Sequence, residues 1–206
     1  MRLPSDKDAK ILDFGCGFGQ TLKELMKLGY KNVIGCDVDK NALEIARQHG
    51  LNVENCSDLD SFSRKYQDYF DFIIMSHVLE HFPKDRIVPA LKSIRAMLKS
   101  GVLFIMVPNA QSNTGAYWAY EDFTHFTLFT SGSIYYVLKM AGFDEIEFVD
   151  IECLEGIPFI KRMIKKFLLR LYKFNIHFWN RVTSSSFHKP SPEIYSFEIK
   201  VIARKL

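Results

Sequence analysis

The stretch Ile11-Leu12-Asp13-Phe14-Gly15-Cys16-Gly17-Phe18-Gly19-Gln20 constrains this chain more than any other. An apolar run carries a carboxylate near its end, glycine then takes alternate positions, and a helix-like segment follows. A buried parallel strand hands over in this way to a tight turn whose bare main chain lies against a ligand. Glycine is needed there because a Cβ would stand between backbone and ligand. The stretch therefore predicts a strand, a cradle for a nucleoside-bearing cofactor, and a helix.

A dinucleotide cradle has the form G-x-G-x-x-G/A, in which the third small residue lets helix close on strand and the helix N-terminus meets a pyrophosphate. Gly15 and Gly17 fit, but the third slot holds Gln20 and the extra glycine comes one position early, at Gly19. An acid, Asp13, also precedes the first glycine. A carboxylate there is ill suited to a pyrophosphate and suits a ligand bearing an ammonium and a sulfonium.

The remaining chain repeats the strand–helix theme. Lys10 to Phe14 reads as a strand and Gln20 to Leu28 as its helix, stopped by Gly29. Asn32 to Cys36 is a second strand ending at Asp37, near the ~20-residue offset at which an acid reaches a ribose hydroxyl. Asn41 to His49 is helical, with Asp39 better explained as its N-cap than as a ligand residue. Val53 to Cys56 and Tyr69 to Met75 are further strands, followed by Ser57-Asp58 and Ser76-His77. Ile87 to Leu98 puts Ile87, Leu91, Ile94 and Leu98 on one helical face. Gly101 to Val107 is a strand stopped by Pro108-Asn109, Ser131 to Ala141 a helix stopped by Gly142. Phe143 to Asp150 and Tyr195 to Ala203 alternate as a closing strand pair does. Such alternation implies a parallel doubly wound sheet with its ligand at the carboxyl ends of the strands, where Asp13, Asp37, Asp58 and Ser76-His77 fall.

With 206 residues, 48% hydrophobic and 25% charged, the expectation is one soluble domain with a sizeable core. The start is short and polar, unlike a signal peptide, and no run reaches the roughly 18 apolar residues of a membrane span. Cys16, Cys36, Cys56 and Cys153 lack metal-ligand spacing, which suits free thiols in the cytoplasm. The net charge of +3 is unevenly spread. Lys161, Arg162, Lys165, Lys166, Arg170, Lys173, Arg181 and Lys189 lie between Gly156 and Glu193 with no acid among them, which leaves the rest of the chain acidic.

The D-x-G-x-G-x-G stretch with its flanking elements resembles motif I of the class I S-adenosylmethionine-dependent methyltransferases, and the similarity runs from about Ala9 to Val149. It implies an α/β fold: a Rossmann-like doubly wound, seven-stranded, mostly parallel sheet with an antiparallel terminal strand. The cofactor implied is S-adenosylmethionine. Asp13, Gly15, Gly17 and Gly19 would line its methionyl part and Asp37, with Val38, its ribose. Asp58 and Leu59 would face the adenine, and Met75 and Ser76 would close the pocket.

Ser76 to Pro83 looks like the segment after the fourth strand in ubiquinone-biosynthesis and small-molecule methyltransferases. Its H-x-x-E-H string also matches an inverted zinc-protease motif, but it follows a strand of a nucleotide fold and Pro83 ends it. A related quinone group carries acids here for a hard cation; His77 replaces one of them, so no metal site is expected. Asp122 to Thr130 resembles a segment of methyltransferases from sugar and cell-surface glycan pathways. A hydroxyl acceptor needs a base as the bond to carbon forms, and His125 and His81 are the candidates, His125 first. Tyr117, Trp118, Glu121 and Asp122 are candidates for contacting a polar acceptor.

The expected function is O-methylation of a sugar hydroxyl in a surface glycan or lipid-linked intermediate, with a small-molecule or glycan acceptor. The alternatives are an O- or N-methyltransferase acting on a small molecule such as a quinone precursor, and a non-catalytic cofactor-binding module. Intact Asp13, Asp37 and glycines argue against the last. Residues 1–206 form one methyltransferase domain in which 151–192 are a basic helical insertion before the last strand. Phe159, Ile160, Met163, Ile164, Phe167, Leu168, Leu171 and Tyr172 give the insertion an apolar stripe. It is open to three readings: a lid packed on the body, a helix on an anionic membrane surface through 157–174, or a phosphate-binding element. With few residues before the first strand, the cap over the site comes from Ala110 to Phe129, from the insertion or from another subunit. Nucleic acid is not expected, since no RNA-binding module accompanies the basic stretch. The location expected is cytoplasmic, with a peripheral position at the inner membrane face under the membrane reading.

Overall fold

The computed structural model describes residues 3–186 and 191–206. Lys189 of the basic insertion lies outside the described residues. In chain order the elements are β1 (Ile11–Phe14), α1 (Gln20–Lys27), β2 (Val33–Asp37), α2 (Lys40–Gln48), β3 (Val53–Asn55), α3 (Leu59–Lys65), β4 (Phe70–Ser76), α4 (Lys84–Met97), β5 (Leu98–Pro108), α5 (Gly115–Glu121), α6 (Ser131–Met140), β6 (Glu145–Phe148), α7 (Phe159–Val182) and β7 (Glu198–Lys205). A 3₁₀ turn, Leu79–His81, lies between β4 and α4.

The strands form one seven-stranded sheet in the order β3-β2-β1-β4-β5-β7-β6. β1 to β5 pair in parallel, and β7 runs antiparallel to both β5 and β6. The Rossmann-like architecture expected from the sequence is the one observed. Because strand side chains alternate, Leu12, Phe14, Ile73, Met75, Leu103 and Ile105 form one core with α4 and α6. Ile11, Phe72, Ile74, Phe104 and Ile202 form the other, with Leu22 and Leu25 of α1 and Leu43 and Ala46 of α2. At ~1.5–3 kcal/mol for each buried large apolar side chain, these two layers hold the carboxyl ends of β1, β2 and β4 side by side.

Local chemistry sets the helix boundaries. Asp39 caps α2 by accepting from the N–H groups of Asn41 and Ala42, and Thr130 with Ser133 forms a capping box on α6. Several elements differ from the sequence reading, α5 among them, which has no counterpart in it. α3 was not anticipated, and β5 leaves α4 at Leu98 without a loop. α7 outruns the apolar stripe that announced it, reaching Val182, about 36 Å of helix at 1.5 Å per residue. None of its residues is buried, and Phe159 and Phe174 are 76% and 73% exposed. The lid reading, in which the stripe packs on the body, does not hold. α7 is instead tied down by polar contacts: Lys165 Nζ to Cys153 O at 2.6 Å, Tyr172 Oη to Asn113 Oδ1 at 2.6 Å, and Lys173 Nζ to Glu152 Oε1 at 3.2 Å. Among the described residues no helix is long and apolar enough to cross a membrane.

Candidate active site

The glycine turn follows β1 directly. Gly15 N and Cys16 N both donate to Cys36 O, at 2.8 and 3.0 Å, which stitches the turn to the end of β2. All three glycines have positive φ, 80° at Gly15, 50° at Gly17 and 82° at Gly19. Their reasons for lacking a side chain differ. A Cβ on Gly15 would lie 2.2 Å from Val78 Cγ2, and one on Gly19 2.2 Å from Leu51 Cδ1. The fold itself needs those two bare. A Cβ on Gly17 would meet nothing within 4 Å, so the space beside it is open and can receive a ligand.

Asp13 is only 2% exposed, and its Oδ2 has no hydrogen-bond partner. Burial pushes its carboxyl up to about 7; the Thr21 hydroxyl opposes this and the nearby charge of Asp37 adds to it. An unsatisfied buried carboxylate oxygen is costly, and a ligand ammonium would satisfy it. Asp37 accepts from Gly17 N through Oδ2 at 2.8 Å and from Asp39 N through Oδ1 at 2.9 Å. Each oxygen keeps a further lone pair for a ribose hydroxyl. Val38, 63% exposed, offers an apolar surface beside it. The orphaned Asp13 oxygen and the open space at Gly17 fit S-adenosylmethionine.

Two expected cofactor residues have other work as well. Asp58 caps α3, its Oδ1 accepting from Ser61 N at 3.0 Å and its Oδ2 from Ser61 Oγ at 2.7 Å. Leu59, the first residue of α3, packs against the core. Met75 is fully buried and Ser76 half-buried at the end of β4, so only the main chain of Met75 is left to face a ligand.

Beyond β4 lies a cavity of ≈ 350 Å³ lined by His77, His81, Pro108, Trp118, Asp122, His125, Phe197 and Glu198. A larger one, ≈ 450 Å³, sits among Leu3, Asp71, Ser100 and Gly101 at the opposite, amino-terminal ends of the strands. Ligands of doubly wound sheets bind at the carboxyl ends, which selects the first cavity. Its outer wall is held by Asn109, fully buried, whose Nδ2 donates to Ile194 O and Ser196 O at 2.8 Å each. The sequence marked Asn109 only as a stop; the structure makes it the clamp between β5 and the approach to β7.

Of the three histidines lining this cavity, His77 is held protonated. Its Nε2 lies 3.1 Å from Glu198 Oε1 and its Nδ1 3.4 Å from Glu80 Oε1. These two carboxylates, Glu198 first, raise its pKa to about 9, so it is no base at neutral pH. His81 Nδ1 lies 3.2 Å from Thr124 O and 2.8 Å from Thr124 Oγ1, and that hydroxyl in turn donates to Asp122 Oδ1 at 2.6 Å. His125 Nδ1 lies 2.8 Å from Trp118 O. A carbonyl oxygen only accepts, so Nδ1 carries a proton in both rings, and Nε2 is the nitrogen left to exchange one. The two rings are 4.8 Å apart between centroids. The candidate acceptor residues divide: Trp118 and Asp122 line the cavity, whereas Tyr117 and Glu121 do not. Pro108, Phe197 and Glu198 escaped the sequence reading because their place in the wall follows from the pairing of β5 with β7.

A family model described as a methyltransferase domain matches residues 1–147. The chain is 34% identical over 110 residues to a ubiquinone biosynthesis O-methyltransferase of Actinobacillus pleuropneumoniae, covering 48% of this chain and 46% of that protein. It is 36% identical over 100 residues to a probable tRNA methyltransferase 9B of Bos taurus, covering 47% of this chain and 21% of that protein. The chain thus spans less than half the length of either relative. Among solved structures, that of a SAM dependent methyltransferase from Archaeoglobus fulgidus superposes with a TM-score of 0.68 at 23% identity, over 96% of this chain and 86% of that one.

Proposed function

Because the chain belongs to the methyltransferase domain family, we propose that it transfers the methyl group of S-adenosylmethionine to a hydroxyl of a lipid-linked or glycan acceptor. S-adenosylmethionine supplies an electrophilic methyl carbon, whose bonding pair to sulfur stays with the sulfur when an oxygen takes the carbon. Asp13 binds the ammonium, the main chain around Gly17 receives the methionyl part, and Asp37 orients the ribose beside Val38. Gly15 and Gly19 shape the turn; Asp58 and Leu59, with Met75 and Ser76, bound the adenine and the methyl end. The residues 1–206 act as one domain, with 151–192 as its basic insertion.

The observation that carries this reading is the pair His81 and His125. Two imidazoles with Nδ1–H held by backbone carbonyls keep Nε2 for proton exchange beside a cavity walled by Trp118, Phe197 and Pro108. They form the end at which an acceptor hydroxyl loses its proton, and the aromatic wall suits the apolar face of a sugar ring. His125→Ala should keep S-adenosylhomocysteine binding and lower turnover by ~10²–10⁴-fold, the usual worth of a general base. Unchanged turnover would remove His125 from the chemistry.

The exposed α7 supports a membrane-borne acceptor. Its large apolar side chains lie open, interleaved with seven cations and no acid, the composition of a helix lying on an anionic lipid surface. Similarity to a ubiquinone biosynthesis O-methyltransferase favours a second reading, in which the hydroxyl belongs to a quinone precursor.

A further inference from the structure

The side chain of His77 stands between two carboxylates that come from distant parts of the chain. Its Nε2 is 3.1 Å from Glu198 Oε1 on β7, and its Nδ1 is 3.4 Å from Glu80 Oε1 on the 3₁₀ turn. Ionised carboxylates only accept, so a ring that faces one through each nitrogen carries a proton on both and is an imidazolium. The backbone is committed to the same place. His77 has φ 54°, a left-handed conformation that residues with a Cβ rarely adopt, and its N–H donates to Met106 O at 2.9 Å, continuing the pairing of β4 with β5. Strain of this kind persists where the surrounding structure holds a residue to one position, and it gathers at functional sites.

The two carboxylates depend on His77 unequally. Glu80 is 0% exposed, and neither of its oxygens has a hydrogen-bond partner. A buried negative charge needs compensation, and among the described residues His77 is the cation paired with it. Glu198 has a second cation, since Lys200 Nζ lies 3.8 Å from its Oε2 while also holding Asp150 Oδ2 at 3.0 Å. Glu80 in turn carries both histidines of the pair. His81 follows it in the turn, and the Glu80 carbonyl accepts from Phe126 N at 2.9 Å and Thr127 N at 3.2 Å, which fastens the loop that bears His125. On the far side, Glu198 pairs with Pro108 and follows Phe197, both of the cavity wall.

We propose that His77 is the positioning residue of the acceptor site, an imidazolium strut that holds Glu80 in its pocket and so sets His81 and His125 against the β7 wall. It exchanges no proton with the acceptor and acts through Glu80 and Glu198. This role rests on the reading of His81 and His125 as the place where the acceptor loses its proton, and it adds what keeps them there. Without the cation, an ionised Glu80 has to leave its pocket for water, and the turn moves with it. A displacement of about 1 Å in a reacting group can cost roughly 10²-fold in turnover. Cofactor binding stays intact, because the cradle of Asp13, Gly17 and Asp37 belongs to β1, β2 and the turn between β1 and α1.

The test begins with NMR of the full chain carrying isotope-labelled histidine. One ring should keep both nitrogens protonated at pH 8 and titrate at about 9, and its signal should be missing from His77→Asn. Asparagine tolerates the left-handed backbone, so this variant removes the cation and spares the turn. S-adenosylhomocysteine binding reports folding and should match the parent. Turnover, read as S-adenosylhomocysteine formed from S-adenosylmethionine with a lipid extract containing lipid-linked saccharides, should fall ~10²-fold in kcat. Adding Glu80→Gln should recover most of that loss, since a neutral amide needs no counter-charge, and should return the His81 and His125 ring signals to their parental positions. A parent without a doubly protonated ring at pH 8 overturns the proposal whether or not the variants fold. Parental turnover in His77→Asn, or a double variant no faster than the single one, overturns it too. Ring signals that move in His77→Asn and return in the double variant, with no methyl transferred by any of these proteins, keep the strut and remove the methyl-transfer reading. Turnover lost in His125→Ala and unchanged in His77→Asn does the reverse.

Discussion

Asp13→Asn separates the cost of the cradle's acid from its use. The substitution keeps the side-chain shape and removes a carboxyl that titrates at about 7 instead of 3.8. Its folded value is raised, so its favourable contribution is complete below pH ~4 and is lost as pH rises through about 7. Above pH 8 the ionised group costs the ligand-free protein about 4 kcal/mol, at ~1.4 kcal/mol per unit. An amide in the same place lacks a partner for some of its polar atoms, which costs ~1–3 kcal/mol. The net gain at pH 8.5 is about 1–3 kcal/mol, a rise in Tm of roughly 3–9 °C for a chain of this size, and it vanishes at pH 5. Binding should move the other way. Loss of a charged hydrogen bond to the ligand ammonium should weaken S-adenosylhomocysteine about 10–150-fold. In the parent, binding at pH 6 should release roughly nine-tenths of a proton, and almost none at pH 8.5, as the ligand cation drives Asp13 to ionise. Thermal unfolding at the two pH values gives the stability arm. Calorimetry in buffers of different ionisation enthalpy gives the proton count. A variant that binds with parental affinity, or that loses stability at pH 8.5, would refute the role assigned to Asp13.

Other perturbations read other parts of the site. Gly15→Ala, at φ 80° against Val78, should destabilise by about 2–4 kcal/mol from backbone strain and overpacking, seen as a lower urea midpoint. Gly17→Ala, which meets nothing, should cost only the ~1–2 kcal/mol of its left-handed conformation yet weaken S-adenosylhomocysteine binding more than Gly15→Ala does in the folded fraction. Replacing Lys161, Arg162, Lys166 and Arg170 by Glu should abolish flotation with anionic liposomes, at ~1 kcal/mol per basic residue, and leave S-adenosylhomocysteine affinity unchanged. Trp118→Ala should raise KM for the acceptor with little change in kcat, because it removes wall area from both ground and transition states.

The sheet was legible because its signals are local and repeated. Most of the parallel strands are apolar runs, and α1 and α2 are followed by a glycine while α2, α3 and α6 begin on a capping residue. Asp13 and Asp37 were legible for the same reason, since their positions are fixed by the strands they end. α3 was missed although Asp58-x-x-Ser61 is a capping pattern, because Asp58 was read as a ligand residue and its cap was overlooked. β5 was placed three residues late: Gly101 looks like a start, but its close approach to Asp71 O is what excludes a side chain there. The acceptor side was less legible. His81 and His125 were picked out by resemblance, while their adjacency and the ring orientations set by Thr124 and Trp118 arise only from tertiary folding. Glu80 entered only as the acid of the H-x-x-E-H string, because a buried carboxylate without a hydrogen-bond partner looks in a sequence like any surface acid. The exposure of α7 was also unreadable, since an apolar stripe on a helix has the same pattern whether it packs or lies open.

The central claim is methyl transfer from S-adenosylmethionine to oxygen at this site. Its most direct test incubates the protein with methyl-labelled S-adenosylmethionine and a membrane-lipid extract containing lipid-linked saccharides. The account predicts label in a lipid-extractable product that survives mild base, as a methyl ether does, with S-adenosylhomocysteine formed in equal amount and both lost in Asp13→Asn and His125→Ala. Label that moves to no acceptor, with no S-adenosylhomocysteine formed, would contradict it.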